Sequence, residues 1–265
     1  MAGTLRPVSD ELLLPFLESP QTSGIFLDFD GTLSDIVHVP SDARPTRGAR
    51  SLLADLARKY AVTAIVSGRS ARELLEWLGP EVEIWGVHGA QRTAGGTVEL
   101  SPAAAPYEAL MREVHDAAVA RVHELGLDGV IVEDKAVMVG LHFRNATDLE
   151  AARRALDELA DDLATRHGLT RAGGRLAFEL RPPVEFTKAA VVRERAQGLR
   201  AVAFAGDDRV DLPGFDALDD LAEDGVATLR IAVDSDEAPP ELLERADVVV
   251  EGPAGAVEFL QRLLG

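Results

Sequence analysis

The sequence predicts an α/β fold: a parallel sheet flanked by helices, interrupted by a smaller inserted α+β module. Three observations carry this. Short apolar runs alternate with amphipathic helical segments. The apolar runs end in polar turns, as buried parallel strands do. The middle of the chain breaks this rhythm with hairpin signals.

The first strand is expected over 24–29, followed by an amphipathic helix in which Leu52, Leu53, Leu56 and Ala57 share a face. A second strand is expected over 61–67, a helix over 70–78 and a short strand over 83–87. Strand-helix-strand order of this kind implies parallel pairing. The alternation resumes with strands over 201–206, 227–233 and 247–250 and a helix over 254–264. In between, Ala94-Gly95-Gly96-Thr97 and Ala172-Gly173-Gly174-Arg175 are turn signals. Helices are expected over 107–125 and 147–167, flanking a Val-rich alternating run over 129–144 in which a tight turn could fall at Glu133-Asp134-Lys135. The core is therefore assigned to 1–92 and 184–265 and the inserted module to 93–183. A two-domain enzyme of this form is expected to bind its substrate in the cleft between modules.

Composition narrows the function. A formal net charge of −18 opposes binding to nucleic acid or anionic membrane, and no apolar run approaches membrane-spanning length. There is no cysteine, which excludes disulfides and thiol chemistry and agrees with a cytoplasmic location. Asp10 and Glu11 near the start, without a basic region and apolar stretch, do not form a secretory signal. The same negative charge would repel a phosphate ester unless a cation and a few basic residues reverse it locally.

The chemistry-bearing residues gather at strand ends. Asp28 and Asp30 lie at the C-terminal end of the first strand, the edge where open parallel sheets bind ligands. Two residues apart, they project to the same side, and such carboxylates suit a hard cation such as Mg²⁺. Taken alone, Asp-x-Asp-Gly fits a turn or a weak cation site equally well. Gly206-Asp207-Asp208, with Asp211, ends a second apolar strand, and two acidic strand ends in one sheet favour a shared metal site. Ser67-Gly68-Arg69 joins a strand to a helix, so Ser67 could bind an anion or simply cap the helix. Lys188 opens a helix after the inserted module.

These four ordered segments, Asp28-Phe29-Asp30-Gly31-Thr32, Ser67-Gly68-Arg69, Lys188 and Gly206-Asp207-Asp208 with Asp211, resemble the haloacid dehalogenase superfamily. More narrowly, the chain resembles the trehalose-6-phosphate phosphatase family. That likeness rests on Ala64-Ile65-Val66-Ser67-Gly68-Arg69, Gly86-Val87-His88-Gly89-Ala90, Val132-Glu133-Asp134-Lys135, Leu141-His142-Phe143-Arg144-Asn145 and Phe178-Glu179-Leu180-Arg181-Pro182. The resemblance implies a Rossmann-like core with a cap, and hydrolysis of a small-molecule sugar phosphate with Mg²⁺. It implies Asp28 as nucleophile and Asp30 as the acid and base that serves the leaving sugar oxygen and then the water. It gives Thr32, Ser67, Gly68 and Lys188 to the phosphoryl group. It gives the metal to Asp28, Asp30 through its backbone carbonyl, and Asp207, with Asp208 or Asp211 supporting. Glu133, Lys135, Arg144, Asn145 and Glu179 match positions that contact a disaccharide. On the run 139–144, His142 and Arg144 are expected to share a face, and His142 fits either a packed structural role or a ligand contact.

The chain departs from the family pattern at Arg209-Val210-Asp211-Leu212, at Gln91 and at Ala189. These changes bear on the metal's surroundings and on which sugar is taken. Another sugar phosphate, a trehalose-like pseudo-disaccharide phosphate and a non-catalytic sugar-phosphate sensor are the alternative readings. Nothing in the sequence specifies an oligomeric state.

Overall fold

The computed structural model describes residues 10–37, 42–173, 176–235 and 238–265. The expected turn residues Gly174 and Arg175 lie outside the described residues. The chain forms two compact units, Met1–Glu99 with Phe186–Gly265, and Leu100–Glu185.

In the first unit the strands are β1 (Ser23–Leu27), β2 (Val62–Val66), β3 (Glu83–Gly86), β4 (Gln91–Ala94) and β5 (Thr97–Leu100), then β10 (Ala201–Gly206), β11 (Ala227–Asp234) and β12 (Val248–Glu251). They form an eight-stranded sheet in the order β12-β11-β10-β1-β2-β3-β4-β5. Pairing is parallel from β12 through β3, and β4 runs antiparallel to β3. The helices are α1 (Leu14–Glu18), α2 (Ala49–Lys59), α3 (Ala71–Leu78), α6 (Lys188–Arg195), α7 (Leu212–Glu223), α8 (Pro240–Arg245) and α9 (Gly252–Gln261).

Every residue of β1, β2 and β10 is buried, as expected of strands covered on both faces. Alternation along β1 sends Ile25, Leu27 and Phe29 into one layer, with Leu53 and Leu56 of α2 and Leu74 of α3. Phe26 faces the other layer, with Val191 and Val192 of α6 and Phe215 of α7. Asp28 shares the parity of Phe26, so the first acidic residue projects toward the layer that contains α6.

From β1 the chain builds outward to β2 and β3, and from β10 it builds the opposite way to β11 and β12. The order of winding reverses between β1 and β10, and a crevice opens at the carboxyl ends of strands at such a point. The register pairs Leu27 with Ala205, and the Asp28 N–H donates to the Ala205 carbonyl at 2.9 Å. Asp28 and Asp207 therefore leave adjacent strands at nearly the same height.

Residues 93–99, assigned from sequence to the inserted module, sit instead at the edge of the core sheet. The Gly95-Gly96 turn, with both φ values positive (58° and 79°), folds β5 back onto β4 and keeps the hairpin there.

In the second unit, β6 (Ile131–Asp134), β7 (Val139–His142), β8 (Thr170–Gly173) and β9 (Ala177–Arg181) form an antiparallel sheet in the order β6-β7-β9-β8. Two helices accompany it, α4 (Glu108–Glu124) and α5 (Leu149–His167). Asp148 caps α5 by accepting the Glu150 and Ala151 N–H groups, and Gly168 ends it at φ 64°. Leu156, Ala160 and Leu163 form its buried stripe, and Val139, Leu141, Phe178 and Leu180 are the buried face of the sheet. No helix among the described residues is long and apolar enough to cross a membrane.

Candidate active site

At the crevice, three buried carboxylates and one buried lysine converge. Lys188 is the first residue of α6, whose N-cap Thr187 accepts the Ala190 N–H. Its Nζ lies 2.6 Å from Asp28 Oδ1 and 2.6 Å from Asp211 Oδ1. Asp28, Asp207 and Asp211 each present an oxygen such that all three lie within 4.8 Å of one another. With one ammonium against three carboxylates, negative charge is in excess.

Burial raises the Asp28 carboxyl well above the usual range; Lys188 opposes this and Asp211 reinforces it. Asp207 is pushed up to about 7 by burial together with Asp211 and Asp208. Burial lowers the Lys188 ammonium, but Asp28 and Asp211 outweigh it and hold the group protonated.

Asp211 also organises the backbone. Its Oδ2 accepts the Asp207 and Asp208 N–H groups at 3.0 and 3.1 Å. Gly206 permits this closeness, since a Cβ there would fall 2.2 Å from Asp211 Cγ. Gly31, at φ 73°, admits the Asp207 carboxylate in the same way, because a Cβ would lie 1.9 Å from Oδ2. Asp207 Oδ2 has Ser235 Oγ at 3.5 Å, whereas Oδ1 is buried with no hydrogen-bond partner among the described residues. A buried, unpartnered carboxylate oxygen beside two more carboxylates fits a hard divalent cation. Thr32 Oγ1 is likewise buried without a partner among the described residues.

The other sequence-predicted residues separate into distinct roles. Asp30 lies outside the carboxylate cluster: both its oxygens accept from Arg69, at 2.7 to 3.0 Å. Arg69 is held by Glu73 at 3.1 Å and lies over Trp77 and Phe29, 5.0 and 5.8 Å from the ring centroids. Ser67, 1% exposed, accepts the Arg69 N–H at 3.2 Å, and the helix cap falls to Ser70, which accepts the Glu73 N–H. Gly68 is exposed beside it. Asp208 caps the following turn by accepting the Val210 N–H at 2.8 Å, so Asp211 is the one whose oxygen joins the cluster.

In the second unit, register places Glu133, Gly140 and Glu179 in one row across β6, β7 and β9. Lys135 Nζ lies 3.0 Å from Glu179 and 3.6 Å from Glu133, and His142 Nε2 lies 2.8 Å from Glu133. Arg181 also pairs with Glu179. Burial raises the Glu179 carboxyl, but Arg181 and Lys135 outweigh it and bring it down to about 2. The expectation that His142 and Arg144 share a strand face is corrected: β7 ends at His142, and Arg144 and Asn145 occupy an exposed turn. Neither side chain joins the Glu133–Lys135–Glu179 network among the described residues.

Arg69 stands within the Ser67-Gly68-Arg69 segment, which by itself gives it no role. Its spacing to Glu73, one helical turn on, was the available signal. Arg181 and Ser235 were also missed, and Ser235 had none.

The fold is that of the haloacid dehalogenase-like hydrolases, as in one from Bacteroides thetaiotaomicron (TM-score 0.61, 16% identity, 92% of this chain and 100% of that chain). Within that class, the trehalose-phosphatase family model matches residues 26–244, and the chain belongs to that family. A trehalose-phosphate phosphatase of Mycobacterium avium (strain 104) is 36% identical over 254 residues, covering 90% of this chain and 61% of the relative. The chain spans about 60% of the length of the curated relatives it matches. The crystal structure of a trehalose-6-phosphate phosphatase related protein superposes with TM-score 0.69 at 25% identity, covering 91% of this chain and 96% of that one. The resemblance read from the motif segments is borne out.

Proposed function

We propose that the chain hydrolyses trehalose 6-phosphate to trehalose and phosphate, with Mg²⁺, through an aspartyl phosphate on Asp28. The observation that supports this most is the buried Asp28–Lys188–Asp211 cluster, with the unpartnered Asp207 oxygen, in a member of the trehalose-phosphatase family.

An Asp28 oxygen attacks phosphorus as the bond to the sugar oxygen breaks, and Asp30 gives its proton to that oxygen. Water then attacks the aspartyl phosphate, its proton passes to Asp30, and phosphate leaves with Asp28 restored. Arg69, which donates to both Asp30 oxygens, orients the carboxylate for both transfers. Lys188 neutralises charge on the phosphoryl oxygens, and Ser67, Thr32 and the Gly68 backbone supply donors. Asp28, Asp207 and the Asp30 carbonyl would hold Mg²⁺, with Asp211 ordering the Asp207 loop. The cation supplies the positive charge that lets a phosphate ester approach this acidic site. The core, as cut by the unit boundaries, serves catalysis and the inserted unit serves as the cap. Glu133, Lys135 and Glu179, with Arg144 and Asn145, form bonds to sugar hydroxyls.

A panel of phosphate esters with Mg²⁺ tests the assignment. Strong preference for trehalose 6-phosphate is expected; equal turnover of glucose 6-phosphate would remove the disaccharide from the claim. Binding without turnover would favour the sensor reading.

A further inference from the structure

Residues Val87, His88 and Gly89 all have positive φ, at 50°, 57° and 110°. For a β-branched residue such as Val87 this conformation is strained, and strain of this kind persists only where the surroundings impose it. Here they do. The Val87 N–H donates to the Arg69 carbonyl at 2.8 Å and the His88 N–H to the Ser67 carbonyl at 2.9 Å. The turn is thus tied to the backbone on both sides of Gly68. On its other flank, a Cβ on Gly89 would come within 2.6 Å of Val191 Cγ2, so the turn abuts α6, the helix that begins with Lys188.

The strained turn therefore lies between the segments that carry Ser67 and Lys188. It lays the His88 ring on Gly68: a Cβ on that glycine would meet Cε1 at 2.9 Å and Nε2 at 3.0 Å. Ser67 and Lys188 are buried, whereas Gly68 is exposed and His88 half-buried. The imidazole is therefore less buried than Ser67 and Lys188 and lies against the exposed Gly68. With phosphorus at the buried Asp28, the ester oxygen and its sugar would extend from there toward solvent.

Resting on the sugar-phosphate reading above, we propose that His88 is a substrate-contact residue of the core unit that reads the sugar attached to the ester oxygen. An imidazole can donate to or accept from a hydroxyl according to its tautomer, and the backbone hydrogen bonds that impose the strained turn also fix where the ring sits.

His88→Asn and His88→Gly both tolerate left-handed backbone and remove the ring. Steady-state kinetics with trehalose 6-phosphate and with p-nitrophenyl phosphate, which has no sugar, separate the possibilities. Both variants should raise KM for the sugar phosphate about tenfold, the scale of one lost polar contact, with little change for the aryl ester. Equal losses for both esters would make His88 part of the phosphoryl machinery or of the scaffold and overturn the proposal, as would no loss for either. Calorimetric binding of trehalose 6-phosphate to Asp28→Asn, with and without His88→Asn, gives the same comparison without turnover. Weaker binding in the double variant supports the contact, and unchanged binding overturns it. Failure of the wild-type protein to hydrolyse any sugar phosphate would refute the underlying function, whatever the His88 variants do.

Discussion

At Lys188, one ammonium faces two buried carboxylates at 2.6 Å each. Replacing it with Met would leave Asp28 and Asp211 desolvated and uncompensated. Lys188→Met should therefore cost about 3–5 kcal/mol in denaturant unfolding as well as activity. Asp28→Asn keeps the shape and removes a charge from the same cluster, so its folding should be nearly unchanged. Gly31→Ala tests the packing of Asp207, because the new methyl would occupy the place of that carboxylate at a left-handed position. It should lose about 1–2 kcal/mol from the backbone alone and lose Mg²⁺-dependent thermal stabilisation besides. Retained stabilisation by Mg²⁺ would show that Asp207 does not hold the cation. The acidic motif residues were legible as a set because strand ends recur in sequence order. The pairing of Asp30 with Arg69 was not, since it joins side chains 39 positions apart across two loops.

At the scale of elements, burial on both faces made β1, β2 and β10 readable as continuous apolar runs. The hairpin β4–β5 was divided, with 93 onward given to the inserted module, because a turn signal specifies a hairpin but not the sheet that receives it. Arg144 was misplaced for a related reason: alternation continues through Phe143, whose N–H still donates to the Leu176 carbonyl, yet the strand itself ends at His142 and Arg144 lies in a turn. The ion network of β6, β7 and β9 gives a pH prediction. Glu179 in the folded state titrates near 2, below the ordinary 4.5. A depressed carboxyl contributes stability that is full above the unfolded value and is lost as pH falls through the folded one. Thermal unfolding should thus weaken from about pH 4.5 toward 2, and Glu179→Gln should flatten that limb. An unchanged limb would mean that other carboxylates dominate acid unfolding.

At the scale of the whole molecule, a chain with net charge −18 gathers further carboxylates around its phosphate site. That arrangement is stable only if cations are bound or protons retained, so Mg²⁺ should raise the unfolding midpoint. At a free concentration a hundredfold above Kd the stabilisation is about 2.7 kcal/mol, and a chelator should reverse it. Asp207→Asn should abolish most of that gain; a full gain in the variant would place the cation elsewhere. The most direct test of the central claim is phosphate release from trehalose 6-phosphate with Mg²⁺, wild type against Asp28→Asn. Steady release by the wild type is expected, with a loss of about a thousandfold or more in a folded variant, as when a covalent nucleophile is removed. Release by Asp28→Asn near the wild-type rate would contradict that claim.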